Sequence, residues 1–132
     1  MRPRPNQVDC YVRNKLGSPG VPGIEVIKYF CIEYKNENKT PEITYLNKLH
    51  SILKTTGIEF GILVSNKSAP STYCQAANKI YLNDKIIIIS ICKSDLNSII
   101  SDNVNLLDLI EMKINEVKLD ATKSLKELGL YK

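Results

Sequence analysis

The sequence is poor in the residues that most metal sites need. It contains a single histidine, His50, and its four cysteines include no Cys-x-x-Cys pair. Structural zinc is bound by closely spaced cysteines and histidines, so this composition argues against a zinc site. The cysteines are instead interpreted as reduced thiols of the core: Cys10, Cys31, Cys74 and Cys92.

Sequence signatures of nucleotide binding and of serine hydrolases are missing too. The glycine-rich segment 17–23 contains neither G-x-x-x-x-G-K-[ST] nor G-x-G-x-x-G, the loops that cradle the phosphates of nucleotides. No nucleophile elbow occurs. Together with the lack of a usable histidine, these absences count against an enzyme that works by other chemistry.

Targeting and membrane signals are also absent. No apolar run approaches the ~20 residues that a membrane-spanning helix needs, and no signal peptide opens the sequence. We therefore expect a cytoplasmic protein, the compartment in which reduced cysteines are usual. The 132 residues, 43% of them hydrophobic, fit one domain at 1–132, with a sheet core at 6–92 and a helical part at 94–132. A net charge of +4 permits an anionic partner without requiring one.

The most informative stretch is 24–36, an apolar run that ends in charge. Residues 24–32 are mostly β-branched or aromatic, which predicts a central strand. Glu33 and Lys35 follow two positions apart and therefore share a face of that strand. A carboxylate beside an ammonium at a strand end is typical of metal or phosphate chemistry. The alternative is a surface ion pair worth under about 1 kcal/mol, since Glu-x-Lys occurs four times in the chain.

Alternating polarity predicts another strand at 7–13, with Asp9 on its polar face. A loop rich in glycine and proline at 14–23 connects it to the central strand, so the two are expected to pair antiparallel, with Asp9 near Glu33 and Lys35. Downstream, Thr40 and Pro41 indicate the start of a helix. The remaining elements indicate an α/β fold, a central mixed sheet with helices packed on it: strands at 58–64 and 85–91, and helices at 70–79, 95–100, 104–118 and 121–128.

This order of elements resembles the PD-(D/E)xK nuclease superfamily, and restriction-endonuclease-like domains in particular. The resemblance covers about 7–91, with Ile32-Glu33-Tyr34-Lys35-Asn36 standing at the Glu-x-Lys strand and Gly61-Ile62-Leu63-Val64-Ser65 at the strand after the helix. It implies a three-layer fold with a helical C-terminal extension. By resemblance, Asp9 and Glu33 are metal ligands, and Lys35 orients or activates the attacking water.

Two features depart from the family pattern. Val8 stands where the motif has proline, and only eight residues precede Asp9, where the family places a helix and a further strand. A homodimer partner or a larger parent protein would then supply the missing elements.

Phosphodiester chemistry leads to the same residues without the family, because hydrolysis needs a cation that neutralises developing charge. Two carboxylates and the Tyr34 carbonyl suit Mg²⁺ (or Mn²⁺), which prefers oxygen ligands. The expected function is a metal-dependent endonuclease acting on double-stranded DNA, with a non-catalytic nucleic-acid-binding or assembly module as the alternative. Candidate phosphate contacts are basic residues in or beside loops: Arg13, Lys15, Lys39 and Lys67.

Overall fold

Four strands form one mixed sheet. The computed structural model describes residues 10–13 and 29–127 of the chain. The strands lie in the order β1 (Cys10–Arg13), β2 (Tyr29–Lys35), β3 (Phe60–Ser65) and β4 (Ile87–Cys92). β1 pairs antiparallel with β2, whereas β2, β3 and β4 are mutually parallel. The predicted mixed α/β sheet is therefore confirmed for this part of the chain.

Helices cover both faces of the sheet. They are α1 (Ile43–Thr56), α2 (Ser71–Asp84), α3 (Lys93–Ser101) and α4 (Leu106–Glu127). One apolar cluster joins α1 and α2 to Cys31, Leu63 and Ile88, and a second joins α4 to the opposite side of β3 and β4. Among the helices described, none combines the length and the apolar character needed to cross a bilayer.

β3 lies at the centre of both clusters. Phe60 and Ile62 contribute to the α4 side, and Leu63 contributes to the side of α1 and α2. Only Val64 of its six residues is partly exposed. A strand covered on both faces needs apolar residues at successive positions, which is why its sequence is a continuous apolar run and not an alternating one.

The start of α1 differs from the prediction. Thr40 and Pro41 lie outside the helix, and the N-cap is Glu42, whose backbone is extended with φ −81° and ψ 147°. The Glu42 carboxylate accepts hydrogen bonds from Lys39 at 2.7 Å and from Thr44 at 3.3 Å. These contacts hold the chain extended through Glu42, so the helix begins at Ile43.

The C-terminal helices also differ from the prediction. The two predicted at 104–118 and 121–128 form the single helix α4. No glycine or proline interrupts the sequence there, and Ala121 is fully buried, so the apolar stripe that includes Ile114 continues through the expected break.

α2 runs to Asp84, beyond its predicted end at Lys79, because Ile80 is buried in the core shared with α1. Lys85 then ends the helix by adopting a left-handed conformation with φ 58°. Because Lys85 forms this cap, the last strand begins at Ile87 and not at the predicted Lys85.

The cysteines divide between core and surface. All four are free thiols, as expected. Cys31 and Cys92 are buried, in agreement with their predicted place in the core. Cys10 and Cys74 are exposed, so the prediction is wrong for these two. Cys10 lies on the edge strand β1, and Cys74 lies on α2 beside the cavity between α2 and α4.

The single histidine joins α1 to α2. His50 Nε2 lies 2.6 Å from Asp84 Oδ2, and Lys54 Nζ lies 3.6 Å from the other oxygen of Asp84. The hydrogen bond with His50 lowers the pKa of the Asp84 carboxyl, and the charge of Lys54 acts in the same direction. His50 therefore has a structural role at the C-terminal end of α2.

The lowered pKa of Asp84 predicts a pH-dependent contribution to stability. An aspartate whose folded pKa is depressed stabilises the fold above its unfolded pKa, about 3.9, and this contribution is lost as pH falls through the folded value. Asp84→Asn should therefore have a lower free energy of unfolding than the wild type near neutral pH in urea titrations. This gap between the two free energies should close as pH falls below about 4. Exposed Asp102→Asn serves as control and should show no comparable gap. A gap of constant size at all pH values would contradict the assignment.

Gly61 allows α1 to approach β3 closely. A Cβ at this position would stand 2.9 Å from Leu53 Cδ1 and 3.2 Å from Leu49 Cδ2, both on side chains buried in the core. Gly61→Ala should therefore lower the free energy of unfolding by about 1–3 kcal/mol in denaturant titrations. Gly57→Asn is the control, because position 57 has open space and a left-handed φ of 74° that asparagine tolerates. Equal stability of Gly61→Ala and wild type would show that the contact is not tight.

Candidate functional site

The carboxyl ends of β2 and β3 meet at one edge of the sheet. Glu33 is in register with Leu63, and Lys35 is in register with Ser65. In sheets of parallel strands this edge is where ligands bind, because the strands end there and loops can carry polar side chains. The edge is the candidate site, and strand pairing fixes the relative positions of its backbone groups.

Glu33 is buried, with 4% of its surface exposed. Its side chain shares a face with Cys31 and Lys35, the face covered by α1 and α2. Burial raises the pKa of the Cys31 thiol to about 11, and the neighbouring charge of Glu33 adds to this effect. A solvated surface ion pair, the alternative given above for Glu33 and Lys35, is therefore wrong for this carboxylate.

Lys35 lies at the outer end of the same face. Its Nζ is 4.8 Å from the centroid of the Tyr45 ring, a cation–π contact. The Tyr45 hydroxyl donates to the Glu37 carboxylate, whose two oxygens are both 2.6 Å away. This hydrogen bond raises the pKa of Tyr45, so the phenol stays protonated as a donor. Tyr45 thus joins the first turn of α1 to the loop after β2 and holds the Lys35 ammonium.

Asn66 connects the loops that follow β2 and β3. Its amide donates to Asn36 Oδ1 at 2.9 Å and to the Glu37 carbonyl at 3.1 Å. Ser65, at the end of β3, is buried and donates to the Lys67 carbonyl at 2.8 Å. Both loops are therefore fixed to each other where they leave the sheet.

The structure brings Glu33 and Lys35 to one face, as alternation predicts. Tyr34 points to the other face, and 49% of its surface is exposed. Asp9, the other predicted metal ligand, lies outside the described residues. In the described residues 10–13 and 29–127, no group of three or more histidine, cysteine, aspartate or glutamate side chains could hold a metal ion.

The predicted phosphate contacts differ in their surroundings. Arg13 and Lys67 are exposed. Lys39 is exposed as well, but its ammonium lies 2.7 Å from Glu42 and 3.9 Å from Glu37, so two carboxylates compensate its charge. Lys15 lies outside the described residues. Phosphate binding by these four residues stays a prediction.

Sequence reasoning missed Glu37, Tyr45 and Asn66. Glu37 carries a weak signal, since it continues the alternation of Glu33 and Lys35 by one more step. Tyr45 and Asn66 carry none, because their roles depend on how α1 and the loop after β3 pack against β2.

Comparisons of the chain with protein-family models, with curated proteins and with solved structures return no match. A function for this chain therefore has to be argued from its own residues.

Proposed function

We propose that the chain is a metal-dependent nuclease that hydrolyses phosphodiester bonds of DNA. The observation that carries the proposal is the pairing of a buried carboxylate, Glu33, with an ammonium, Lys35, on one face at the carboxyl end of β2. Both groups stand on a part of β2 that is paired with β3, so their backbone positions are fixed by the sheet. Phosphodiester hydrolysis uses this combination: oxygen ligands for a cation, and a positive group that positions phosphate or water.

Glu33 has the surroundings of a metal ligand. Its carboxylate lies in an apolar setting beside Cys31, where the low local dielectric strengthens its attraction for a cation. The proposal requires a second carboxylate opposite Glu33. β1 pairs with β2 so that Cys10 stands opposite Ile32, and in the sequence Asp9 directly precedes Cys10. Asp9 is therefore the residue that the proposal assigns to this role.

The ligand set fits Mg²⁺ or Mn²⁺ only if Asp9 takes part, since the described residues alone offer no complete group. Glu33, Asp9 and the Tyr34 carbonyl would supply three oxygens, and hard divalent cations prefer oxygen ligands. When bound, such an ion neutralises charge that develops on phosphate and lowers the pKa of its water.

Lys35 is proposed to position the phosphate and the attacking water. The Tyr45 ring lies under its ammonium, and the Glu37 carboxylate fixes the Tyr45 hydroxyl. A lysine held in this way loses little conformational freedom when a substrate arrives, which favours precise placement. Its three N–H donors are compatible with two or more oxygens at once.

DNA is the proposed substrate class, with the duplex backbone contacted by exposed basic residues. Lys67, in the loop after β3, is exposed near the carboxyl edge, whereas Arg13 on β1 is exposed opposite Tyr29, at the amino end of β2. A phosphate backbone lying across the carboxyl edge would contact Lys67 there, and it would reach Arg13 only by extending along β2, about 20 Å at ~3.3 Å per residue. A second copy of the chain, or a longer parent protein, would extend this surface.

Glu33→Gln should abolish cleavage while leaving the fold intact, because it keeps the side-chain shape and removes the charge. We expect plasmid cleavage in Mg²⁺ to fall by roughly 100-fold or more, and Mg²⁺ affinity in calorimetry to fall as well. Glu59→Gln is the matched control, since Glu59 is an exposed carboxylate at the opposite, amino end of β3. Cleavage by Glu33→Gln at the wild-type rate, with unchanged Mg²⁺ affinity, would refute the proposal. Circular dichroism checks that the variant is folded.

Lys35→Ala should separate metal binding from chemistry. The carboxylates remain, so Mg²⁺ affinity should be kept or increased, while cleavage should still fall by about 100-fold or more. Exposed Lys48→Ala on α1 is the control and should cleave like the wild type. Loss of Mg²⁺ affinity in Lys35→Ala would contradict the division of roles. DNA binding without cleavage in the wild type, with Mg²⁺ or Mn²⁺ present, would favour the non-catalytic nucleic-acid-binding module instead.

DNA affinity should fall steeply with salt, because a mildly basic domain holds nucleic acid mainly through phosphates. Fluorescence anisotropy with a short duplex should give a linear decrease of log affinity with log salt concentration. Arg13→Gln and Lys67→Gln should each reduce the slope by about one unit. Salt-insensitive association would indicate that the surface binds a different kind of partner.

A further inference from the structure

A second polar region lies at the other side of the same sheet edge. A cavity of about 250 Å³ opens between α2, β4 and α4, beside the start of α3. Ser90 and Cys92 of β4 line it and are in register with Leu63 and Ser65 of β3. The cavity is thus two strands away from β2, or about 10 Å at the usual strand spacing. Its residues do not overlap with the proposed nuclease site.

The inner wall of the cavity carries an unsatisfied hydroxyl. Tyr73 is 1% exposed, and its hydroxyl has no hydrogen-bond partner within the part of the chain that the structure describes. The Ser90 hydroxyl lies close enough to oppose part of the effect of burial on the Tyr73 pKa, although the two hydroxyls do not meet the distance and angle of a hydrogen bond. Burial raises the pKa of Tyr73 to about 12, so the phenol is a neutral donor and acceptor. Buried polar groups in native proteins are nearly always paired, and a bound ligand is one way to satisfy this hydroxyl.

The charged pair at the start of α3 leaves the inner cavity close to neutral. Asp95 Oδ2 accepts from the Cys92 backbone N–H at 2.9 Å and lies 3.2 Å from Lys113 Nζ. The Cys92 thiol is near the same carboxylate at 3.3 Å and near Ser94 Oγ at 3.0 Å. The charge of Lys113 is therefore compensated by Asp95. A ligand inside the cavity would contact hydroxyl and thiol groups, and it would not contact an unpaired ammonium.

The mouth of the cavity is acidic. Glu116 and Asp120 are exposed, lie one turn apart on α4, and line the cavity together with Cys74. The lining as a whole has three carboxylates and one ammonium. Burial raises the pKa of the Cys74 thiol, the charge of Lys113 opposes this, and the charges of Asp120 and Glu116 reinforce it. The electrostatic field at the mouth favours cations and repels anions.

We propose that this cavity binds a small organic cation, a protonated amine that also carries a hydroxyl or another neutral hydrogen-bonding group. The ammonium lies at the mouth beside Glu116 and Asp120, and the neutral group reaches inward to Tyr73 and Ser90. The volume corresponds to about eight water molecules at ~30 Å³ each, which limits the ligand to a small amine. The proposal does not depend on the nuclease activity, because it uses other residues and another charge.

A matched set of three probes tests the charge requirement. These are 5-amino-1-pentanol, neutral 1,5-pentanediol and anionic 5-hydroxypentanoate, which share a chain and a hydroxyl and differ at one end. In NMR titrations of the labelled chain, the amine should shift the amide signals of Tyr73, Ser90 and Cys92. Its affinity should exceed that of the diol by at least about tenfold, and the carboxylate should not bind.

Variants then assign the two ends of the ligand. Glu116→Gln combined with Asp120→Asn should weaken binding of 5-amino-1-pentanol by about tenfold or more, whereas Glu111→Gln, on the same helix but outside the lining, should leave it unchanged. Tyr73→Phe should weaken binding of the amino alcohol but not of 1-pentylamine, which lacks the hydroxyl. Tyr73→Phe removes only an unpaired buried group, so the fold should be retained.

Three outcomes would overturn the proposal. The first is binding of the diol or the carboxylate as tightly as the amine. The second is a set of shifts away from Tyr73, Ser90 and Cys92, and the third is no shift at the highest soluble concentration of the amine.

Discussion

The arrangement of polar groups depends on the burial of β3 on both faces. Phe60 and Ile62 pack toward α4, while Gly61 and Leu63 pack toward α1. No polar side chain can stand along this strand without losing its hydration, so polarity resumes only at its last residue, Ser65. The neighbouring strands end in the same register. Polar side chains of three strands therefore collect in one row at the carboxyl edge: Lys35, Ser65 and Cys92.

The order of strands and helices could be predicted because each element has a local pattern of apolar residues that is typical of a strand or a helix. The ends of the elements could not, since tertiary contacts decide them. The sequence near Ala121 contains no helix-breaking residue, but only the complete burial of Ala121 in the core shows that α4 continues through this position. Lys85 ends α2 in a left-handed conformation that is uncommon for lysine, so the sequence does not predict that the helix ends there. Thr40 and Pro41 have the composition of a helix start, but the side-chain contacts of Glu42 put the start later.

In the candidate site, too, some features could be predicted from the sequence and others depend on tertiary packing. Alternation along one strand is enough to predict that Glu33 and Lys35 share a face. Alternation does not predict how deeply Glu33 is buried, because its burial depends on the docking of α1, which begins eight residues after Lys35. The contact of Lys35 with Tyr45 depends on the same docking. The role of Asp9 stays a prediction that follows from the pairing of β1 with β2, since that residue lies outside the described part of the chain.

The ammonium of Lys35 and the carboxylates of Glu116 and Asp120 stand at opposite sides of the carboxyl edge. Lys35 stands on the β2 side, whereas Glu116 and Asp120 stand beyond β4 on α4. β2 and β4 are two strand spacings apart, roughly 10 Å, and the carboxylates on α4 lie farther out still, beyond the Debye length of about 8 Å at physiological salt. Each field is therefore weakened at the other side but not eliminated. Under the two proposals, a phosphate backbone at Lys35 would be repelled from the β4 side, and the acidic mouth would orient DNA toward β1 and β2. An organic cation bound at that mouth would reduce the repulsion. The two proposals together thus imply a coupling of defined sign, in which cation binding and DNA binding favour each other.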